Sequence, residues 1–221
     1  MEYVLPANEI RILGCLVEKE LTTPEYYPLT LNALVNACNQ KSNRNPVMSL
    51  TADDVEDAIE GLRKKQLVWR RSCAGARVSK YEHNFNVKWE LTPEEVALLC
   101  VLLLRGSQTA GEIKGRYGRM HEFPTLDAVL SVLNQLQEKE GGPFVILLPR
   151  QPGLKESRYM HLFSGEPEIV NDSECMGQDP VTPVASSSGL RIDILESTVR
   201  ALHEEVSLLR SQFEEFKKSF E

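Results

Sequence analysis

The hexapeptide KYEHNF at residues 80–85 returns as RYMHLF at residues 158–163, so two versions of one motif occur 78 residues apart. The same signals precede each version in the same order: an opening helix, a shorter helix, an amphipathic helix and an apolar strand. A loop with glycine and basic residues follows the strand, at residues 73–77 and 150–156. The chain is therefore predicted to be a tandem duplication. Helix, helix, helix, strand, loop, strand is the element order of a winged-helix domain.

Helix signals are clear in both copies. Apolar residues spaced three and four apart predict an opening helix over about residues 8–20. The matching helix of the second copy is predicted to begin at Thr92, whose sequence TPEE forms a capping box, and to stop at Gly106. A second capping box at Thr109 opens the short helix that follows. The third helix of copy one is predicted to start near Thr51. Its predicted buried face, and that of its counterpart in copy two, consist of Val55, Ile59 and Leu62, and of Leu126, Val129, Leu133 and Leu136.

The last quarter of the chain differs in composition from the two copies. Residues 164–189 lack apolar periodicity and are rich in serine, proline and acids, which is typical of a disordered linker. The whole sequence therefore predicts a helix-rich α+β protein with four segments. They are winged-helix domain 1 at residues 1–88, winged-helix domain 2 at 89–166, a disordered linker at 167–189 and a coiled-coil helix at 190–221.

An unbroken heptad seam predicts that the final helix forms a homodimer. Its a and d positions alternate β-branched residues with leucine, a combination that favours two parallel strands. The predicted dimerisation residues are Ile192, Leu195, Val199, Leu202, Val206 and Leu209. Arg191 and Glu205 at g positions would face Glu196 and Arg210 at e positions of the partner. The alternative is a lone helix that docks onto its own domains, and apolar residues at two c positions favour it.

Three strings carry a resemblance to a known family. They are CLVEKELTTPEYYPLTLNALVNACNQKSNRNPVM at residues 15–48, LLLRGSQTAGEI at 102–113 and SRYMHLFSGE at 157–166. With them the chain resembles the YceH-like family of bacterial proteins, over about the first 166 residues and the C-terminal helix. The resemblance implies two winged-helix domains. It implies no activity and no catalytic or binding residue, because the family is one of uncharacterised function.

The net charge of −7 is unevenly distributed. Residues 1–90 have no net charge, residues 91–166 have −1, and residues 167–221 have −6. Because long-range electrostatic fields depend on where charges lie, the acidic tail does not exclude an anionic partner for the first two segments.

The strongest electrostatic feature is residues 61–81, which contain seven cations and no acid. In a winged helix this stretch covers the end of the third helix, a strand and the wing, where phosphates are contacted. The loop at residues 39–46 adds two cations among side-chain amides, which are able to contact a phosphate or a base edge. The predicted nucleic-acid-binding residues are Lys41, Arg44, Arg63, Lys64, Arg70, Arg71, Arg77 and Lys80. The alternatives are structural: cations suit a helix C-terminus or a strand edge, and Asn, Ser and Pro suit an ordinary turn.

The third helix of copy one argues against base readout. Its N-terminal half, where a recognition helix contacts bases, carries Asp53, Asp54, Glu56, Asp57 and Glu60. Two functions therefore remain open. One is a DNA-associated regulatory protein that contacts phosphates through the first wing, and the other is a protein-interaction adaptor that docks through this acidic helix.

Signals for catalysis are weak, and we expect neither enzymatic activity nor a cofactor. The four histidines lack metal-ligand spacing, and His83 and His161 occupy the same place in the two copies, which favours a structural role. Five cysteines without a CxxC pair predict reduced thiols and no metal site, although Cys73 lies among arginines that would favour a redox-sensitive thiolate. With no membrane span and no secretory signal in the sequence, we expect a cytoplasmic protein without a membrane partner.

Overall fold

The computed structural model describes residues 4–71, 78–116, 120–150 and 156–167. The first copy begins with a long helix and ends in a small antiparallel sheet whose strand order is β1-β3-β2. Its elements are α1 (Ala7–Thr22), β1 (Leu29–Thr30), α2 (Leu31–Cys38), α3 (Ala52–Lys64), β2 (Val68–Arg71) and β3 (Lys80–His83), with a 3-10 turn at Pro24–Tyr26.

The second copy repeats this order after a one-turn connecting helix, α4 (Phe85–Lys88). Its elements are α5 (Pro93–Arg105), α6 (Ala110–Arg116), α7 (Leu126–Glu138), β4 (Val145–Leu147) and β5 (Tyr159–His161). Strands β4 and β5 form an antiparallel pair, and Gln108 is joined to Tyr159 by an isolated bridge.

The sequence repeat corresponds to a repeat of sheet register. His83 pairs with Val68 in the first copy, and His161 pairs with Val145 in the second. Leu29 pairs with Tyr81 where the second copy has the bridge at Tyr159. The two hexapeptides therefore form equivalent strands. This finding supports the predicted duplication, and the structure as a whole is a helix-rich α+β fold, as predicted.

Side-chain caps set the ends of the helices. At the start of α5 the Thr92 hydroxyl accepts from the Glu95 N–H at 3.3 Å, while the Thr92 N–H donates to the Glu95 carboxylate at 2.8 Å. The same reciprocal box joins Thr109 to Glu112 at the start of α6. α5 ends at Gly106, whose φ of 71° suits a residue without Cβ. These three predicted boundaries are confirmed.

The two copies share one hydrophobic core. Every residue of α5 from Glu95 to Leu104 is buried, and the helix packs closely against α1. The closest approach lies at Gly14, where a Cβ would stand 2.9 Å from Cδ2 of Leu104. The Cys100 thiol donates to the Gly14 carbonyl at 3.5 Å. Other parts of the protein therefore cover α5 on all sides. This burial explains why apolar residues occur around its whole circumference.

An aromatic cluster joins the ends of the two hexapeptides. Phe85 and Phe163, their last residues, have ring centroids 5.4 Å apart. Trp89 lies against both rings, at 5.4 and 5.3 Å, and also contacts Phe144 at 5.6 Å. Each copy therefore completes its core with an aromatic residue of the other. All described residues belong to one compact unit, Met1–Val170.

The prediction that Leu126 is buried is wrong. Val129, Leu133 and Leu136 of α7 are buried, but Leu126 is 42% exposed. Leu126 is the first residue of α7, directly after the capping residue Thr125, and only later turns of the helix are covered. Val55, Ile59 and Leu62 of α3 are fully buried, as predicted.

Both predicted wing loops lie largely outside the described residues, as do the predicted linker beyond residue 167 and the predicted coiled-coil helix. The domain boundary at residues 88 and 89 and the winged-helix assignment therefore stay predictions. Among the helices that the structure describes, none has the length and apolar character that crossing a bilayer requires.

Candidate nucleic-acid interface

Three of the predicted cationic residues lie on the hairpin formed by β2 and β3, here called the first hairpin. Arg71 pairs with Lys80 across the two strands, so both cations lie on one face with Trp69 and Glu82. The Arg71 side chain is 67% exposed, and its Nε donates to the Glu82 carboxylate at 2.7 Å. The outer face of the hairpin thus presents two cations, one acid and a partly exposed indole.

Arg70 lies on the other face of the same hairpin. It pairs with the buried Tyr81 in the register, and its exposed guanidinium donates to the Ser79 hydroxyl at 2.7 Å. Consecutive arginines of a strand point to opposite sides because side chains alternate with a period of two. The hairpin therefore carries positive charge on both faces at the end nearest its loop. Arg77 belongs to that loop and lies outside the described residues.

The cations at the C-terminus of α3 are partly neutralised. Arg63 is 2.6 Å from the Glu60 carboxylate one turn earlier, and Lys65 is 2.6 Å from that of Glu9 on α1. Lys64 is exposed and has no carboxylate within 4.0 Å among the described residues. The seven cations of the sequence therefore give a weaker local field than their number indicates, and Lys64 and Lys80 contribute most freely.

Arg44 is buried and does not belong to this interface, which corrects its predicted role. Its Nη2 lies 2.6 Å from the Glu18 carboxylate in α1, and the side chain is 0% exposed. The same guanidinium donates to the Ala37 carbonyl at 2.9 and 3.1 Å. An arginine enclosed in this way has no donor free for a phosphate, so Arg44 holds its loop to α1 and α2. Lys41 of the same loop is exposed.

A second buried arginine also binds the backbone at the two ends of this loop. Arg11 of α1 donates to the carbonyls of Cys38 at 3.3 Å and Pro46 at 2.6 Å. Burial lowers the pKa of Arg11, while for Arg44 the hydrogen bonds and charge of Glu18 outweigh burial, so that its pKa rises. Two cations of α1 and the loop are thus used to fix the backbone between α2 and α3.

The acidic face of α3 is exposed as the sequence predicts. Asp53, Glu56, Asp57 and Glu60 all face solvent. Asp54 instead completes the capping box of α3, and the hydrogen bonds from the Thr51 hydroxyl and N–H lower the pKa of its carboxyl. An anionic surface on the N-terminal half of α3 is therefore a real feature of the folded chain.

The two equivalent histidines are both held inside their own copies. His83 Nε2 lies 2.7 Å from the Glu20 carboxylate, and its Nδ1 accepts from the Phe85 N–H at 3.2 Å. Burial lowers the pKa of His161 to about 4, and its Nδ1 has no partner among the described residues. In the described part of the chain, no group of three or more His, Cys, Asp or Glu side chains is placed to hold a metal ion. Cys15, Cys38 and Cys100 are free and buried, whereas Cys73 and Cys175 lie outside the described residues.

A polar cavity of about 450 Å³ lies where the loop of the first copy meets the second copy. Asn43 and Asn45 line it from one side, and Arg105, Arg116 and Arg158 line it from the other. No sequence pattern points to this cavity, because Arg105, Arg116 and Arg158 lie in three separate segments of the chain. The sequence singles out only the loop at residues 39–46, because of its side-chain amides and its two cations.

Comparisons with known proteins agree with the resemblance seen in the sequence. The family model described as "Protein of unknown function, DUF480" matches residues 5–154. A UPF0502 protein of Pelobacter propionicus is 50% identical over 223 residues, and the match covers 100% of both chains. UPF0502 protein YceH of Escherichia fergusonii is 46% identical over 213 residues, which cover 95% of this chain and 97% of that one. The chain therefore belongs to the DUF480 family of bacterial proteins, the UPF0502 proteins of which YceH is one.

Proposed function

We propose that this protein is a non-enzymatic, DNA-associated regulatory protein that contacts the phosphate backbone through the first hairpin and its loop. The carrying observation is the cross-strand pair of Arg71 and Lys80 on one face of the hairpin, with Arg70 on the other. Cations on both faces of a hairpin are able to reach phosphates on either side of a groove.

The element order of the first copy supports a winged-helix assignment. Three helices precede the hairpin. The two-residue strand β1 pairs with β3, which gives the sheet order β1-β3-β2. In this assignment α3 is the third helix and residues 72–79 form the wing. The second copy follows the same plan, with the bridge between Gln108 and Tyr159 in place of β1.

Contact through phosphates rather than bases follows from the charge of α3. Its exposed carboxylates would lie against the phosphates of a major groove and would repel them. Contacts from the hairpin avoid this repulsion and carry little sequence information. Ion pairs such as that of Arg71 with Glu82 do not prevent them, because an exposed pair contributes little and exchanges readily for a phosphate.

The acidic face of α3 favours a second candidate function, a protein-interaction adaptor. Asp53, Glu56 and Asp57 are exposed and have no cation within 4.0 Å among the described residues. A partner with a basic surface would be complementary to this face. The two functions therefore use different surfaces of one copy and respond to different substitutions.

Fluorescence anisotropy with a labelled duplex at low salt separates the two functions. We expect binding with little sequence preference, and R70A/R71A is expected to weaken it because two phosphate contacts are lost. E56Q/E60Q is expected to leave binding equal or tighter, and E82Q, which frees Arg71, likewise. Lys114→Ala, an exposed lysine of α6, is the charge control and is expected to change little. Absence of binding at low salt would exclude the DNA function and leave the adaptor.

We also propose that residues 190–221 form a parallel coiled coil that makes the protein a homodimer. Support comes from the heptad seam and its complementary g and e charges in the sequence. A dimer would place two first hairpins on one duplex and raise the apparent affinity without a new contact.

A further inference from the structure

Hydrogen bonds fix the loop that lines the cavity between the two copies. The Asn45 N–H donates to the Leu104 carbonyl at 2.9 Å, which ties the loop of the first copy to the end of α5. Arg44 binds the Asn43 carbonyl at 3.0 Å from inside the loop. Because buried arginines and a backbone hydrogen bond fix the loop, the amides of Asn43 and Asn45 are held at the cavity before any ligand arrives.

Positive charge exceeds negative charge in this cavity. The lining contains one carboxylate, that of Glu112. Both of its oxygens contact the Arg158 guanidinium, at 2.9 and 3.0 Å. Burial raises the pKa of Glu112, but the Thr109 N–H and Arg158 outweigh burial, and the pKa lies below its usual value.

Two further guanidiniums are less fully neutralised. Arg116 is 3.8 Å from Glu112 and otherwise donates to the side-chain oxygen of Gln108. Arg105 donates to the side-chain oxygen of Asn43, and within the described part of the chain it has no carboxylate within 4.0 Å. Burial and the charge of Arg116 lower the pKa of Arg105. The two like charges thus raise the free energy of the empty cavity, and an anion between them would lower it.

We propose that this cavity binds a small phosphorylated ligand, with Arg105 and Arg116 as the guanidiniums that hold its phosphate group. A guanidinium presents two parallel N–H donors that match two phosphate oxygens, and its charge strengthens both hydrogen bonds. The cavity volume of about 450 Å³ lies within the range of small-molecule sites. The described residues that line it are all polar or charged, so they offer no aromatic platform for a base. The ligand is therefore recognised by its phosphates, and Asn43 and Asn45 are available for its hydroxyl groups.

This site is separate from the hairpin that is proposed to bind DNA, so the inference does not rest on the proposed function. Its residues come from the loop of the first copy and, in the second copy, from α5, α6, the link between these helices and the residue before β5. A ligand held there would bridge the two copies.

Isothermal titration of the full chain with pyrophosphate, at constant ionic strength, tests the proposal. We expect saturable binding of pyrophosphate, weaker binding of inorganic phosphate, and little binding of citrate, whose carboxylates carry a similar charge in a different geometry. R105Q/R116Q is expected to weaken pyrophosphate binding at least about tenfold, because two charge-assisted contacts are removed. Lys114→Gln, at an exposed lysine of α6 that does not line the cavity, is expected to leave it unchanged.

Arg116→Gln alone provides the test if the double variant does not fold, because Arg116, among the described residues, contacts the side chains of Gln108 and Glu112 and holds no backbone group. No binding of pyrophosphate up to about 10 mM would overturn the proposal. So would equal affinity for citrate, or a loss in Lys114→Gln equal to that in Arg116→Gln. Displacement of pyrophosphate by duplex DNA from the wild type would assign the cavity to nucleic acid and would also overturn it.

Discussion

The guanidinium of Arg44 shows how one side chain organises the junction between α2 and α3. It reaches across to Glu18 on α1 and binds carbonyls at the end of α2 and in the loop. A charge removed from water in this way is tolerated only when it is paired and hydrogen-bonded. The pair therefore contributes little net stability by itself, but loss of one member deprives the other of its closest counter-charge in a buried place.

Replacement of Arg44 with methionine is expected to destabilise the protein by up to about 3–5 kcal/mol, because the largely buried Glu18 carboxylate would keep only its 3.5 Å ion pair with Lys19. Lys41→Ala, in the same loop but exposed, is expected to change stability by less than about 0.5 kcal/mol. Urea denaturation followed by circular dichroism measures both. The double variant E18L/R44M is expected to recover a large part of the loss. Equal effects of Arg44→Met and Lys41→Ala would contradict the burial of Arg44.

His161 predicts a pH dependence of stability. Its pKa is lowered to about 4 by burial, whereas an unfolded histidine titrates near about 6.5. As the pH falls from about 6.5 to about 4, the unfolded chain binds a proton that the folded protein excludes, so stability is lost in that window. The loss amounts to at most about 3 kcal/mol. We expect His161→Phe, which keeps a buried ring, to flatten this part of the curve in urea denaturation measured at several pH values. Parallel curves for the two proteins would contradict the account.

Helix ends were the elements best predicted from the sequence, because a cap is a local signal. Thr92 and Thr109, each with an acid three residues later, and Gly106 define boundaries of α5 and α6 without knowledge of the tertiary fold. Leu126 was misassigned because periodicity gives a face of a helix but not the turn at which coverage begins. Arg44 was misassigned for a different reason: its burial depends on Glu18, and nothing in the loop indicates that pairing.

The crossing of α1 and α5 makes a prediction at Gly14. A Cβ there would lie 2.9 Å from Cδ2 of Leu104 and 3.2 Å from Cβ of Leu103, so the two helices would have to separate. Gly14→Val is expected to cost about 1–3 kcal/mol by overpacking the core. Gly115→Ala in α6 is the control, since no atom lies within 4 Å of its Cβ position, and it is expected to be neutral or slightly stabilising. Thermal unfolding compares the two, and a tolerated Gly14→Val would show that α1 and α5 are less closely packed than described.

At the scale of the molecule, the sequence does not predict how the two copies pack against each other. The repeat predicts two similar units but not how they pack. That α1 and α5 cover each other, and that Phe85 and Phe163 meet, depends on contacts between residues far apart in the chain. The arginine cavity was missed for the same reason, since it exists only where the copies meet.

Dimerisation is a prediction for the whole chain. Sedimentation equilibrium at tens of micromolar is expected to give a dimer for the wild type, a concentration range at which about four heptads remain associated. L195E/L202E is expected to be monomeric, because both charges would enter the seam. Ser197→Glu introduces the same side chain at an outward f position and is expected to leave the dimer intact. A monomeric wild type would contradict the coiled-coil prediction.

The salt dependence of DNA binding tests the central claim most directly, because it counts the phosphates that the first hairpin neutralises. Four cations, Arg70, Arg71, Arg77 and Lys80, predict a log–log slope of about −3.6 for each hairpin bound to the duplex, at about −0.9 per phosphate. The slope for R70A/R71A is expected to fall to half of the wild-type slope, about −1.8 for each bound hairpin, since two of the four contacts are removed. Equal slopes for the two proteins, or no binding at low salt, would contradict phosphate contact through the hairpin.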